Sequence, residues 1–174
     1  MRVYIRNDFQ GNASSCLGLE SFNTPTIYEV LNKSIGIDSA IIGTNIVNLH
    51  MIVSNILTAK LEREMPKIKG CERILSSILR ANKSCSSTFK IVIIDSPPSL
   101  GVLSTNALVA SDYCIIPVQP GIFALEGVNS LLDTINAIRE EYGRPELLGL
   151  LPSFFDARTI MSHKMLEDLK KTGL

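Results

Sequence analysis

Asp95 stands at the end of the apolar run Ile91-Val92-Ile93-Ile94 and is followed by Ser96-Pro97-Pro98-Ser99-Leu100-Gly101. A continuous β-branched run reads as a strand buried on both faces. A carboxylate delivered at the end of such a strand is costly to desolvate unless it meets a cation or hydrogen-bond donors. In open α/β sheets ligands bind at the carboxyl ends of the strands. Magnesium suits that position, because it takes one or two carboxylates and keeps several of its waters. The competing role for Asp95 is a turn or helix N-cap. Pro97 and Pro98 favour the site, since they fix the path of the chain leaving the strand and remove two backbone donors. The residues thus point to a nucleotide-type site with Asp95 on it.

Other chemistry is weakly represented. The four cysteines, Cys16, Cys71, Cys85 and Cys114, form no Cys-x-x-Cys pair, and His50 and His163 are isolated. No zinc site is expected from that spacing, and no Ser-His-Asp or Cys-His arrangement suggests nucleophilic catalysis. Cys114 lies in an apolar run and reads as a small core residue. All four read as reduced thiols. Lys60, Arg63, Lys67, Lys69, Arg73, Arg80 and Lys83 are interleaved with Glu62, Glu64 and Glu72, the pattern of a solvated helix surface. The formal net charge is zero, so no global field draws the chain to nucleic acid. Met1 to Gln10 lacks an apolar signal core, and no apolar run approaches the ~20 residues of a membrane helix. A soluble, intracellular chain is the expectation.

These residues need elements to position them. The chain has 174 residues, 45% hydrophobic and 20% charged, which suits one globular domain with a sizeable core. Val3 to Ile5 reads as a short strand ended by Arg6, Asn7 and Asp8. Gln10 to Ser15 carries loop or cap chemistry. Thr26 to Leu31 reads as a short helix after Pro25, and Ile46 to Val53 as a strand. Leu57 to Lys69 is helix or loop. In Glu72 to Ala81, Ile74, Leu75, Ile78 and Leu79 make one helical stripe. Lys83 to Thr88 reads as a polar connection. Leu103 to Ser111 is helical, and Tyr113 to Val118 is a second buried strand. Together with Ile91 to Ile94 these make a βαβ unit with a right-handed crossover. Leu125 to Tyr142 is the clearest helix, with Leu125, Val128, Leu131, Leu132, Ile135 and Ile138 on one side; Gly143 and Pro145 end it. Leu147 to Leu151 is a third buried strand. Ile160 to Lys171 is a last helix, with Met161, Met165, Leu166 and Leu169 inward.

The segment IVIIDSPPSLG, then Asn106, Ala107, Leu108 and Asp112, then IIPVQPGIFALEG (Ile115 to Gly127), closely resembles the ParA/Soj branch of the ParA–MinD partition ATPases. DFQGNASSCLGL (Asp8 to Leu19) resembles the family's DxDPQGNASSGLGL signature, and LLPSFFDART (Leu150 to Thr159) the stretch leading to its adenine-side loops. The resemblance runs through nearly the whole chain. It implies a doubly wound, mostly parallel α/β sheet with helices on both faces, P-loop NTPase-like, formed here as one partial domain over residues 1–174 and incomplete at both ends. It implies ATP and magnesium as cofactors. Asp95 would hold magnesium through water, with Pro97 and Pro98 beside the nucleotide. Asp8 matches the family residue that orients the attacking water; an ordinary loop or cap role stays open for it. Arg6 and Phe9 stand where the signature has Asp and Pro.

The family's opening strand and its P-loop, KGGxGKTT, have no counterpart here, and no Gly-Lys-Ser or Gly-Lys-Thr tripeptide occurs in the 174 residues. A P-loop supplies backbone N–H groups, a lysine and a hydroxyl to the phosphates and magnesium. Its absence from this stretch would leave the flanks of the sheet uncovered and impair hydrolysis. The resemblance further implies a ParB-like partner, non-specific DNA bound through the full-length dimer, a homodimer or a dimer with a full-length relative, no membrane, and a cytoplasmic, nucleoid-associated location. The alternatives are a non-catalytic interaction or dimerisation protein and a truncated gene remnant.

Overall fold

Alternation of Val3 and Ile5 with Tyr4 and Arg6 makes β1 (Arg2–Arg6) two-sided: Val3 and Ile5 enter the core, Tyr4 and Arg6 face the other way. The structure, a computed structural model, describes residues 1–8, 19, 24–121 and 124–171; of residues 84–86 and 124–126 only the backbone is described. The expected loop at Gln10 to Ser15, and all of the DFQGNASSCLGL stretch except Asp8 and Leu19, therefore lie outside the described residues. The chain forms two compact units, Met1–Ala110 and Ser111–Leu174.

In the first unit α1 (Ile27–Leu31) follows Pro25 and is capped by Thr26. After a 3-10 turn at Ile37–Ala40 come β2 (Ile42–Gly43) and β3 (Leu49–Ile52). The strand expected over Ile46 to Val53 is thus shorter at its start. Thr44 Oγ1 accepts from Ile46 N and donates to Leu49 O, and Asn48 takes a positive φ, so Ile46 and Val47 are held in a turn. The charged stretch after Asn55 folds as α2 (Thr58–Glu64). The next stripe folds as a 3-10 turn at Cys71–Arg73 and α3 (Ile74–Ala81). Ile74 and Leu75 are buried, and Ile78 and Leu79 pack partly against the same core. Lys83 to Thr88 is not the expected connection. It forms α4 (Lys83–Thr88), since KSCSST contains neither Gly nor Pro to stop a helix. The chain then enters β4 (Ile91–Asp95) and α5 (Val102–Ala110).

The sheet order is β2-β3-β1-β4, with β1 parallel to both β3 and β4 and β2 antiparallel to β3. Val3, Ile5 and Ile52 pack with Ile27, Leu31, Leu61, Leu75 and Leu103 in one core. β4 corrects an expectation. It is a strand, but Ile91, Val92 and Ile93 are 52%, 38% and 46% exposed rather than buried on both faces. The reason is position: β4 ends the sheet, paired on one edge with β1.

In the second unit β5 (Tyr113–Val118) pairs in parallel with β6 (Glu146–Pro152). Cys114 faces Leu147 and Ile115 faces Gly149, so Leu148 is an extra, bulged residue. β4 and β5 lie in different sheets, so the expected βαβ succession of strand, helix and strand is present without the two strands sharing a sheet. Cys114 is half-buried rather than deep in the core, and burial pushes its thiol pKa up. α6 (Ala124–Tyr142) buries Val128, Ile135 and Ile138 and half-buries Leu131 and Leu132. Gly143 ends it at φ +72°, a conformation that favours glycine. α7 (Ile160–Lys171) buries Met165 and Leu169. Met161 is 41% exposed, against expectation. Ser162 takes the inward place in that turn, its hydroxyl accepting from Asp156 N at 3.1 Å and from Thr159 Oγ1 at 2.8 Å.

The fold is α/β with a mostly parallel sheet, the class expected from the sequence.

Candidate functional site at the end of the first sheet

β1 and β4 run parallel and in register, so Arg6 lies beside Asp95 and Tyr4 beside Ile93. Diagonal neighbours on one sheet face are within reach of a long side chain, and the Tyr4 phenol lies close enough to the Asp95 carboxylate for the two to interact. Burial first, then this interaction and the charges of Asp95 and Asp8, push the Tyr4 phenol well above its ordinary pKa; the Arg6 charge works the other way. Asp95 is half-buried, and its carbonyl accepts from Asn7 N at 2.8 Å.

At the last position of β1, Arg6 is 1% exposed and its Nε donates to the Asp8 carbonyl at 3.0 Å. Asn7 is fully buried. Its Nδ2 donates to the Leu103 carbonyl at 2.8 Å, while Oδ1 has no hydrogen-bond partner among the described residues. An orphaned buried acceptor costs about 1–3 kcal/mol. The ends of two parallel strands therefore bring Asp8 and Asp95 to one sheet edge, both close enough to act on Tyr4.

Pro97 is buried and Pro98 exposed, so the two prolines are not equivalent. Ser104 Oγ holds the loop from α5, donating to Pro97 O at 3.2 Å and to Ser99 O. No group of three or more His, Cys, Asp or Glu among the described residues could cage a metal. A lone half-buried carboxylate fits magnesium that keeps its waters and takes phosphate oxygens.

Tyr4, Asn7 and Glu62 are partners the sequence did not reveal. Tyr4 carried a faint signal, as the aromatic between two core residues. Glu62 had none: it was read as surface charge, yet its carboxylate turns onto α5. The seven basic residues between Lys60 and Lys83 are exposed, as expected. His50 is half-buried edge-on to Phe89, and His163 is exposed edge-on to Phe155.

Comparison with known proteins matches an AAA domain family over residues 2–147. The sporulation initiation inhibitor protein Soj of Bacillus subtilis is 36% identical over 166 residues, covering 94% of this chain and 64% of Soj. The chromosome partitioning protein ParA of Myxococcus xanthus is 34% identical over 171 residues, covering 97% of this chain and 59% of ParA. Among solved structures, a cobyrinic acid a,c-diamide synthase from Mycobacterium smegmatis with bound ATP analogue and magnesium matches with TM-score 0.86 at 31% identity, over 98% of this chain and 69% of that one. A plasmid partition protein from Borrelia burgdorferi matches with TM-score 0.82 at 26% identity, over 97% and 72%. The sheet and these matches define the class as a P-loop NTPase-like α/β protein. Within that class, the chain belongs to the ParA/Soj family of partition ATPases. It spans less than two thirds of the length of the curated relatives it matches.

Proposed function

We propose that this chain serves an ATP-driven DNA partition system as the magnesium-facing half of a nucleotide site. The observation that carries this reading is Asp95, half-buried at the carboxyl end of β4 beside the end of β1. Asp95 would hold magnesium through water, with Pro97 and Pro98 on the nucleotide side. Magnesium, when bound, supplies positive charge to the phosphates. Asp8, at the same sheet edge, would orient the water that attacks the γ-phosphate. The partners in this reading are a ParB-like protein and non-specific DNA bound through a full-length dimer, in the cytoplasm at the nucleoid.

Phosphate binding needs more than a carboxylate. The 174 residues contain no Gly-Lys-Ser or Gly-Lys-Thr tripeptide, so this polypeptide by itself is expected to hydrolyse ATP at background rate. Phosphate release from magnesium-ATP, measured with and without Asp95→Ala, checks this. Magnesium-dependent turnover that disappears in Asp95→Ala would overturn it. The same absence favours a second reading, a dimerisation partner for a full-length relative. Failure to co-elute with one on size exclusion, with or without ATP, would remove that reading.

A further inference from the structure

α5 begins without a cap of its own. Gly101 stands at the N-cap position, where its carbonyl accepts from Thr105 N at 3.0 Å, and it has no side chain to bond the first amides. Such amides need a partner when part-buried. Here they find one forty residues back. Glu62, near the end of α2, accepts from Val102 N at 3.0 Å through Oε2 and from Leu103 N at 3.3 Å through Oε1. The helix end is thus filled by an anion from this same chain, the sign that a helix N-terminus favours.

Glycine at 101 is what admits that carboxylate. A Cβ built there would lie 2.2 Å from Glu62 Oε2. Serine, aspartate or asparagine, the usual N-cap residues, would compete with Glu62 for the same space.

The first turn of α5 is tied in turn to Asp95. Leu103 O accepts from Asn7 Nδ2 at 2.8 Å, and Asn7 N donates to Asp95 O at 2.8 Å. Ser104 Oγ grips the loop at Pro97 O and Ser99 O. On its far side α5 is anchored by Asn106, whose Oδ1 accepts from Leu75 N at 3.0 Å and whose Nδ2 donates to Cys71 O at 2.8 Å.

We propose that Glu62 is a positioning residue, a cap supplied from α2 that sets where α5 starts and so holds the Ser96–Gly101 loop and Asp95 in place. Its meaning for nucleotide chemistry rests on the proposed role of Asp95, but the test needs no nucleotide, so loss of the ATPase reading leaves it standing or falling by itself.

The test is a double-mutant cycle on the full chain with hydrogen exchange. Glu62→Ala should lower Tm by about 2–8 °C. It should speed exchange at Val102 and Leu103 roughly fivefold or more and speed loop amides Ser96, Ser99 and Leu100, leaving the β3 amides unchanged. Glu62→Gln, which keeps an acceptor, should restore most of the loop protection. Gly101→Ala should lower Tm in the parent chain but leave it unchanged or raised in the Glu62→Ala background. An equal cost of Gly101→Ala in both backgrounds would overturn the proposal, as would a Glu62→Ala effect spread evenly over the first unit. If Glu62→Ala proves unfolded, the comparison of Gly101→Ala with Gly101→Ala/Glu62→Gln decides the same point.

Discussion

Thr26 caps α1 from two directions. Its hydroxyl accepts from Tyr28 N at 3.2 Å, while its own amide and hydroxyl donate to Glu29 Oε2 at 2.8 and 2.6 Å. Burial pushes the Glu29 carboxyl up, but the two Thr26 donors outweigh it and hold the pKa below the usual range. A depressed carboxylate contributes stability above its unfolded pKa and loses it as pH falls through the folded value. Thr26→Ala should therefore cost about 1 kcal/mol at neutral pH. The gap to the parent should narrow below pH ~4, as protonated Glu29 loses its advantage. Urea melts at pH 7 and pH 3 check this; a gap that does not narrow would show that the charged carboxylate is not what the cap uses. The helix itself was legible in the sequence, because Pro25 and the run from Thr26 to Leu31 are local; its capping box was not singled out. Asp95 was legible for a similar reason, standing directly after its apolar run. Tyr4 and Asn7 were not. Their partners, Asp95 and Leu103, lie more than ninety positions away, and only the register of β1 against β4 brings them together.

β4 shows what an element can hide. Its sequence reads as a strand, and it is one, but a β-branched run does not state its place in a sheet. That place depends on pairing with β1, which is not local. As the end strand of a four-stranded sheet it keeps Ile91, Val92 and Ile93 exposed. An exposed apolar end strand offers its backbone to other chains, and natural proteins blunt such edges with charge, lysine above all. Ile93→Lys should raise the protein concentration at which light scattering sets in by severalfold, at a stability cost below about 1 kcal/mol because the site is half open. Unchanged scattering would place the sticky surface elsewhere. The neighbouring helix α5 was legible in extent but not in attachment. Asn106, Ser104 and Glu62 bond across elements, and charge interleaving in α2 gave no reason to single out Glu62.

On the scale of the whole chain, motif spacing from Asp95 to Gly127 carried the family, whereas the division into two sheets had no sequence marker. The two units differ in how completely they bury their apolar side chains. Val3, Ile5, Ile52, Leu75 and Leu103 in the first are fully buried, at 0% exposure. Among the described apolar residues of the second, Ile135 at 3% is the best covered, and Leu148, Leu151 and Phe154 are exposed at 61%, 54% and 81%. A two-stranded sheet is marginal without further strands or helix cover, and each large side chain left open forgoes about 1.5–3 kcal/mol of burial. Local opening should follow this difference. Amides of Ile116 and Leu150 should therefore exchange through openings at least ~2 kcal/mol cheaper than those of Ile5 and Ile52. Native-state hydrogen exchange under mild denaturant measures both sets at once. Equal opening energies would mean that β5 and β6 draw stability from something other than their own unit's core. A lower value for β5 and β6 would mark the second unit as the part that a partner or further chain has most to stabilise.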